Sequence, residues 1–331
     1  LPDPSDVREF IANTDADKRN KLIDKLLSLD KFADRTDAEK EASPEEVIEY
    51  WEVDEAYLSK WRFFFEDMFR NFVNGREEIH DSFRNFINLF LRYNHPYDEF
   101  VRNVITASSI SGRSSGASGY LVQARMGSGE GDPIHEDICD QLAIRTTKNF
   151  LGVDLECISC HDGEDHLEDI NLWLSKRKRV EFWRQAAFFG ETDFQILRRL
   201  GRNQPFFIED GRNATGYHPG AESITRTPRN KAADVYPAYL VNQERPAEGA
   251  NLRADYARRL TADFQFEKAA VNLFWSKFFT VGIVDPPFDW DLARQDPENP
   301  PPAPWTLQPS HPELMSQRDL VMGYMQIPMM D

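Results

Sequence analysis

Cysteine is scarce in this chain of 331 residues, which has three. Three thiols cannot build the disulfide framework of a small secreted protein, and a pair two residues apart is common in metal or cofactor attachment. Two of them stand in LECISCHDGE, Leu155 to Glu164, where a histidine follows the second. The scarcity therefore indicates a dedicated use of Cys157 and Cys160. Cys139 is predicted to be a small apolar residue on a helix face.

Positive charge is scarce as well, since 39 Lys and Arg stand against 56 Asp and Glu and the formal net charge is −17. Such a surface repels phosphate backbones and anionic lipid headgroups, so we expect no nucleic acid partner and prefer a basic protein. No run approaches the roughly 18 consecutive apolar residues of a membrane helix, so we expect no membrane span. Internal repeats and glycine-rich phosphate loops are also missing from the sequence.

Apolar residues make up 40% of the chain and include 24 Phe, enough for a sizeable core. Three- and four-residue apolar spacing predicts a mainly α fold. One predicted helix lies within residues 15–29, and an aromatic-rich one runs for about 30 residues from the capping box at Ser43. The other predicted helices cover residues 76–93, 96–106, 135–151, 179–189, 193–202, 252–264 and 267–279.

The remaining segments have a different composition. Residues 107–133 are rich in Gly and Ser and predict a long loop, which is functional or disordered. A β-hairpin is predicted with its turn at Asp210-Gly211, and a further strand over residues 234–241. Residues 296–305 are proline-rich and predict an extended C-terminal strap. We expect a helical domain over residues 1–203 and a mixed segment over residues 204–331.

Cys157, Cys160 and His161 match the C-x-x-C-H pattern of c-type haem attachment. Two thiols one short turn apart can add to two porphyrin vinyl groups, and the adjoining histidine then becomes an axial ligand of the iron. A thioredoxin-like pair expects a strand before it, and structural zinc expects a second ligand pair. We therefore expect one covalent haem c. Its attachment takes place outside the bacterial cytoplasmic membrane, so we expect a periplasmic or extracellular chain whose signal peptide has been removed.

Several motifs in order resemble the planctomycete-type cytochrome c proteins, a secreted haem-bearing family with paired domains of unknown function. The stretch HPYDEFVRNVI is similar to the K-P-Y-D-x-F-V motif of that family. The stretches KRNKLIDKLLSLDKFADR, EGDPIHEDI and RTTKNFLGVDLECISCHDGE resemble the opening helix and the haem region. AAVNLFWSKFFTVGIV with PSHPEL resembles the start of the second domain, which we expect to be curtailed in this chain. Two departures are Gly163, where many members have histidine, and Leu273, where arginine is usual.

The resemblance implies haem and export, with no established substrate. Family members often have a histidine near the position of Met126, so we expect Met126 as the distal iron ligand opposite His161. His135 is the alternative, and His80, His95, His218 or an open position remain further options. Phe150 is a candidate for the apolar wall of the haem, and Arg125 for neutralising a propionate.

We interpret the chain as a secreted mono-haem c-type cytochrome that transfers electrons to a basic redox partner. One alternative is a structural or assembly subunit of a larger redox complex or filament, in which the chain also forms homo-oligomers. A second alternative is a haem enzyme of the peroxidase type, which would need an open distal position lined by His or Arg.

Overall fold

The chain is mainly helical, as the sequence predicts. The computed structural model describes residues 4–27, 55–71, 77–93, 95–108, 116–126, 134–199, 202–211, 216–222 and 227–308. The helices in these ranges are α1 Pro4–Ala12, α2 Lys18–Leu27, α3 Glu55–Met68, α4 Glu77–Arg92, α5 Tyr97–Thr106, α6 Gly119–Met126, α7 His135–Leu151, α8 Arg179–Ala186, α9 Leu252–Ala262 and α10 Phe264–Phe279. Two strands, β1 Thr192–Arg199 and β2 Arg202–Asp210, form an antiparallel pair. Short 3-10 turns lie at Gly116–Ser118, Cys157–Ser159, Leu174–Lys176, Ala187–Phe189 and Leu292–Arg294.

Most of the predicted helices are confirmed. Helix α7 has both of its predicted ends, and α4, α5, α8, α9 and α10 occupy predicted helical ranges. The aromatic-rich helix is described from Glu55 as α3, and its predicted start at Ser43 lies outside the described residues. Periodic apolar spacing was therefore a reliable guide wherever the helix presents one face to the core.

Aromatic rings fill the centre of the core. Phe65, Phe69 and Phe100 are buried, with ring centroids 5.5 to 5.7 Å apart. Tyr120 and Phe150 approach Phe69 with centroid distances of 5.4 and 6.0 Å. Burial of each large apolar side chain stabilises the fold by about 1.5–3 kcal/mol relative to exposure. The cluster joins α3, α5, α6 and α7, and so fixes the helix that leads into the C-x-x-C-H segment.

The Gly/Ser stretch 107–133 is not one continuous loop, and this part of the prediction is wrong. It contains a 3-10 turn and helix α6. A Cβ on Gly116 would lie 2.1 Å from the Ser82 carbonyl oxygen, and one on Gly119 would lie 2.5 Å from Phe83 Cβ. These glycines therefore allow close packing against α4, which composition alone does not distinguish from chain flexibility.

The β-hairpin lies upstream of its predicted position. The predicted turn at Asp210-Gly211 is wrong because β2 ends there, and the predicted helix over residues 193–202 is wrong because β1 occupies most of it. Apolar residues lie opposite one another in the register of the two strands, where Phe194 faces Ile208 and Ile196 faces Phe206. This two-residue period favours strand over helix.

The predicted strand over residues 234–241 is wrong too, since this described segment has no strand ladder. Its main chain bonds instead to α8. Ala238 N donates to the Arg184 carbonyl oxygen at 3.1 Å, and Leu240 N donates to Gln185 Oε1 at 2.8 Å. The segment is therefore an extended partner of a helix.

Contacts cross the predicted boundary between residues 1–203 and 204–331. Arg253 is 1% exposed and donates to the Ile105 carbonyl oxygen at 2.9 Å and to the Asp210 carboxylate at 2.8 Å. The proline-rich stretch after the last 3-10 turn forms neither helix nor strand as far as it is described. The division into two domains remains a prediction.

Candidate functional site

The C-x-x-C-H segment forms a single 3-10 turn soon after α7. Cys160 N donates to the Cys157 carbonyl oxygen at 3.1 Å, and His161 N donates to the same oxygen at 3.4 Å. Leu155 and Ile158 are fully buried and anchor the turn in the core. Cys157 is exposed and Cys160 is partly exposed, so a turn held by the core presents both cysteines at the surface.

His161 has a ring arrangement suited to binding a metal through Nε2. Its Nδ1 lies 2.6 Å from the Asp162 carbonyl oxygen. A carbonyl oxygen only accepts hydrogen bonds, so Nδ1 donates and the lone pair of the neutral ring is on Nε2. Histidines that bind metals commonly donate their other ring N–H to a carbonyl in this way.

The surroundings of Cys157 disfavour a reactive redox thiol. Although the residue is exposed, partial burial of its thiol raises the pKa of Cys157, and the carboxylates of Asp154 and Glu156 raise it further. A raised pKa leaves less thiolate at neutral pH, whereas redox-active cysteines have lowered pKa values. The helix that precedes the turn is also not the strand that a thioredoxin-like pair requires.

Gly163 packs against the segment that follows the turn. Its N–H donates to the Arg177 carbonyl oxygen at 2.9 Å. A Cβ at this position would lie 1.9 Å from the Leu174 carbonyl oxygen. A side chain here, including the histidine of many members of the resembling family, does not fit this backbone arrangement.

Asp291 supports the same region from far along the chain. It is 1% exposed, and its carboxylate accepts from Leu172 N at 2.8 Å and from Trp173 N at 3.0 Å. Asn171 adds a hydrogen bond to the Trp290 carbonyl oxygen at 3.1 Å. These contacts hold the chain between the cysteine turn and α8.

The two preferred haem contacts near α6 have only their backbone described. Arg125 and Met126 lie at the end of α6, and their side chains are outside the described residues. Met126 as distal ligand and Arg125 as propionate partner therefore stay predictions.

His135, the alternative distal ligand, already forms a hydrogen bond through one ring nitrogen. Its Nε2 lies 2.9 Å from the Gly190 carbonyl oxygen, to which it donates, and 3.5 Å from Cys139 Sγ. Use of this nitrogen for iron would require the ring to leave Gly190. Cys139 itself is fully buried, as predicted for an apolar helix residue.

The remaining candidate residues lie in several environments. His80 is 5% exposed and contacts Asp81 and Arg84. His95 pairs with Glu99 at 3.6 Å. His218 is exposed. These contacts do not bring the three histidines together.

Phe150 lies in the aromatic core rather than among the contacts of the cysteine turn. Its ring approaches Phe69, Tyr97 and Tyr120. A role in the haem wall is a prediction that these contacts do not test.

Sequence reasoning missed the residues that support the turn. Arg179, whose Nε donates to the Ser159 carbonyl oxygen at 2.9 Å, is one basic residue in a basic stretch of sequence. Asp291 lies more than 100 positions from Leu172 and Trp173, whose N–H groups donate to it. Of these residues, only Gly163 stood out in the sequence, because it departs from the pattern of the resembling family.

In the part of the chain described here, no group of three or more His, Cys, Asp and Glu side chains is arranged to hold a metal ion. Among the described helices, none combines the length and apolar content needed to cross a bilayer.

Comparison with known proteins gives one partial match. The family model PSCyt2, a protein of unknown function (DUF1549), matches residues 35–193. This is a planctomycete cytochrome-associated domain, and the matched range includes the C-x-x-C-H turn. No curated protein and no solved structure matches the chain.

Proposed function

We propose that the chain is a mono-haem c-type cytochrome that transfers electrons. The observation that supports this most is the turn itself, in which Cys157 and Cys160 lie at the surface and His161 has the tautomer for ligation through Nε2. The two thiols would hold the porphyrin as thioethers and the imidazole would hold the iron. Bound haem supplies a one-electron carrier, whose potential depends on its second ligand and on burial.

The donor set fits haem better than it fits the other uses of paired cysteines. All three residues belong to one anchored turn, and the raised pKa of the Cys157 thiol disfavours disulfide exchange. The match to a cytochrome-associated domain of unknown function over residues 35–193 is consistent with this proposal.

The direct test is the intact mass of the protein from its native source or from a host that attaches haem c. We expect a mass increase of one haem that survives denaturation. In Cys157→Ser and in Cys160→Ser one of the two thioether bonds is lost, and in the double variant no haem is retained after denaturation. Cys139→Ser is the matched control, since its buried thiol takes no part. A native protein without added mass would overturn the proposal.

The charge around the turn supports a basic redox partner. Six exposed acidic residues lie within or close to it in sequence: Glu156, Asp162, Glu164, Asp165, Glu168 and Asp169. Lys176 and Lys178 are the exposed basic residues nearby in sequence. We expect association with a basic partner to slow steeply as salt is added, because charges more than a Debye length apart are screened. A rate that does not change with ionic strength would exclude this partner class.

Covalent haem also implies a periplasmic or extracellular location. Fractionation of the native organism, with the haem detected by its peroxidase stain, would place the protein. Recovery of holoprotein with cytoplasmic markers would contradict the proposed location.

A second candidate function, assembly into a larger complex, is favoured by exposed aromatic side chains. Phe63 of α3 is 73% exposed, and Phe278 and Phe279 of α10 are 65% and 59% exposed. Trp61 joins the two helices through a ring contact to Phe278 at 5.8 Å. Apolar surfaces of this kind often mark interfaces. Light scattering tests this role: a mass above one chain that falls to one chain in Phe278→Ser supports it, and a monomer at all concentrations excludes homo-oligomers.

A further inference from the structure

Arg179, the first residue of α8, contacts both sides of the Cys160-His161 pair. Its Nε donates to the Ser159 carbonyl oxygen at 2.9 Å, just before Cys160. Its main-chain N–H donates to Asp162 Oδ1 at 2.7 Å, just after His161. One residue therefore fixes the main chain before the second thiol and the side chain after the histidine.

The other end of the guanidinium holds a distant segment. Nη1 donates to the Pro228 carbonyl oxygen at 2.7 Å, and Nη2 donates to the Thr227 carbonyl oxygen at 2.6 Å. A planar guanidinium can satisfy three acceptors at once, whereas an ammonium group lacks this fixed geometry. Trp183 lies under the guanidinium at 4.9 Å and restricts its plane.

That segment is itself attached to α7 by the next residue, Arg229. The Arg229 side chain is 1% exposed and contacts Asp137 at 2.7 Å and Asp140 at 2.6 Å. Tyr217 OH donates to Asp140 and receives a hydrogen bond from Arg229 Nε. The turn is thus connected through Arg179 to a buried ionic group on the helix that precedes it.

The positive charge of Arg179 lies against the main chain that leads into the second thiol. Among the residues that the structure describes, its guanidinium forms no ion pair with a carboxylate and bonds to carbonyl oxygens instead. The hydrogen bond from Nε to the Ser159 carbonyl oxygen places this charge one residue before Cys160 in the chain. An arginine guanidinium in a protein stays protonated, so this positive charge is permanent.

We propose that Arg179 is a positioning residue that holds Cys160 and His161 in place for the haem and, through its charge, raises the reduction potential of the iron bound at His161. This inference rests on the proposed cytochrome function. A positive charge near the iron favours the reduced state, which carries one positive charge fewer, so the potential rises.

Two variants separate geometry from charge. Arg179→Lys keeps the charge and loses the three-way contact, whereas Arg179→Gln loses both. Arg184→Gln is the matched control, because Arg184 lies on the same helix and also donates to a carbonyl oxygen, that of Asp234. It has no described contact with the turn.

The first measurement is independent of haem. In protein made without haem attachment, we expect peptide-level hydrogen exchange over residues 157–163 to be about tenfold faster in Arg179→Gln, the effect of losing a hydrogen bond to a charged group. Arg179→Lys gives the same direction, and Arg184→Gln matches the wild type. Exchange in α7 outside this range reports whether the variant still folds.

The second measurement uses holoprotein and follows the midpoint potential and the fraction with covalent haem. We expect a lower potential and less attached haem in Arg179→Gln. Arg179→Lys keeps the potential but attaches less haem, and Arg184→Gln changes neither. An Arg179→Gln protein that equals the wild type in exchange, loading and potential would overturn the role of Arg179, as would an equal shift in Arg184→Gln. Wild-type protein that takes up no haem would instead overturn the proposed function itself.

Discussion

The imidazole rings of His161 and His166 lie side by side, with centroids 4.4 Å apart and ring planes inclined at 47°. His166 N–H donates to the Gly163 carbonyl oxygen at 3.2 Å, which keeps this histidine on the short turn that follows the motif. If His161 held a haem iron, a residue in contact with its ring would lie on the same side of that haem. His166 is therefore a neighbour of the proposed proximal ligand rather than a candidate for the opposite face.

Mutation should distinguish the roles of His161 and His166. Removal of His161 in holoprotein removes the proposed axial ligand while both thioethers remain, so we expect a covalent haem with a changed spin state. His166→Ala should leave the low-spin spectrum intact. Optical and electron paramagnetic resonance spectra measure this difference. Loss of low-spin character in His166→Ala alone would reverse the assignment.

Substitution of Gly163 should destabilise the fold. A methyl group at this position would lie 1.9 Å from the Leu174 carbonyl oxygen, so the main chain must move. We expect Gly163→Ala to lower the free energy of unfolding by about 1–3 kcal/mol, the usual cost of overpacking. Gly220→Ala is the control, since a Cβ there meets no atom within 4 Å. Urea titration of both variants measures the effect, and equal stabilities would contradict the packing argument.

The sequence was most informative where a local pattern of residues determines the local structure. The ends of α7 follow from apolar spacing and from Gly152, which takes the left-handed conformation that ends a helix. The C-x-x-C-H pattern identified the candidate site without any knowledge of the fold. The contacts that support this site could not be predicted from the sequence, because Asp291 and Thr227 come from distant parts of the chain. Local patterns contain no information about such pairings.

Composition was the weaker guide. Glycine marks both flexible loops and places where helices approach closely, and Gly116 and Gly119 belong to the second class. Likewise, the apolar residues of β1 fit a short helix until their partners in β2 are known. Register with a partner decides such cases, and it is a property of the fold rather than of one segment.

Loss of Arg229 should destabilise the protein far more than loss of a surface cation. Its side chain is 1% exposed and contacts two buried carboxylates, those of Asp137 and Asp140. We expect Arg229→Met to cost about 3–5 kcal/mol, as when one partner of a buried ion pair is removed. Lys231→Met breaks the exposed pair with Glu222 and should leave stability almost unchanged, because solvent screens this pair. Similar costs for the two variants would show that the buried group contributes little.

The thiol of Cys157 should react slowly in protein without haem. Its pKa is raised by burial and by Asp154 and Glu156, so less thiolate is present near neutral pH than in a free thiol. In a Cys160→Ser background we expect slow alkylation by iodoacetamide that accelerates as pH rises. Glu156→Gln lowers the pKa toward its usual value and should speed the reaction, whereas Asp169→Asn should not. Alkylation faster than that of a model thiol would contradict the raised pKa.

The distal ligand can be decided by a pair of variants. His135 Nε2 donates to the Gly190 carbonyl oxygen, so His135 has a structural partner that a ligand role would remove. We therefore expect His135→Ala to keep the low-spin spectrum of the holoprotein and to lose some stability. Met126→Ala should lose the far-red absorption band of methionine-ligated oxidised haem and lower the potential, because a thioether ligand raises it. If His135→Ala abolishes low-spin character while Met126→Ala does not, the bond to Gly190 must open when haem binds, and His135 is the ligand.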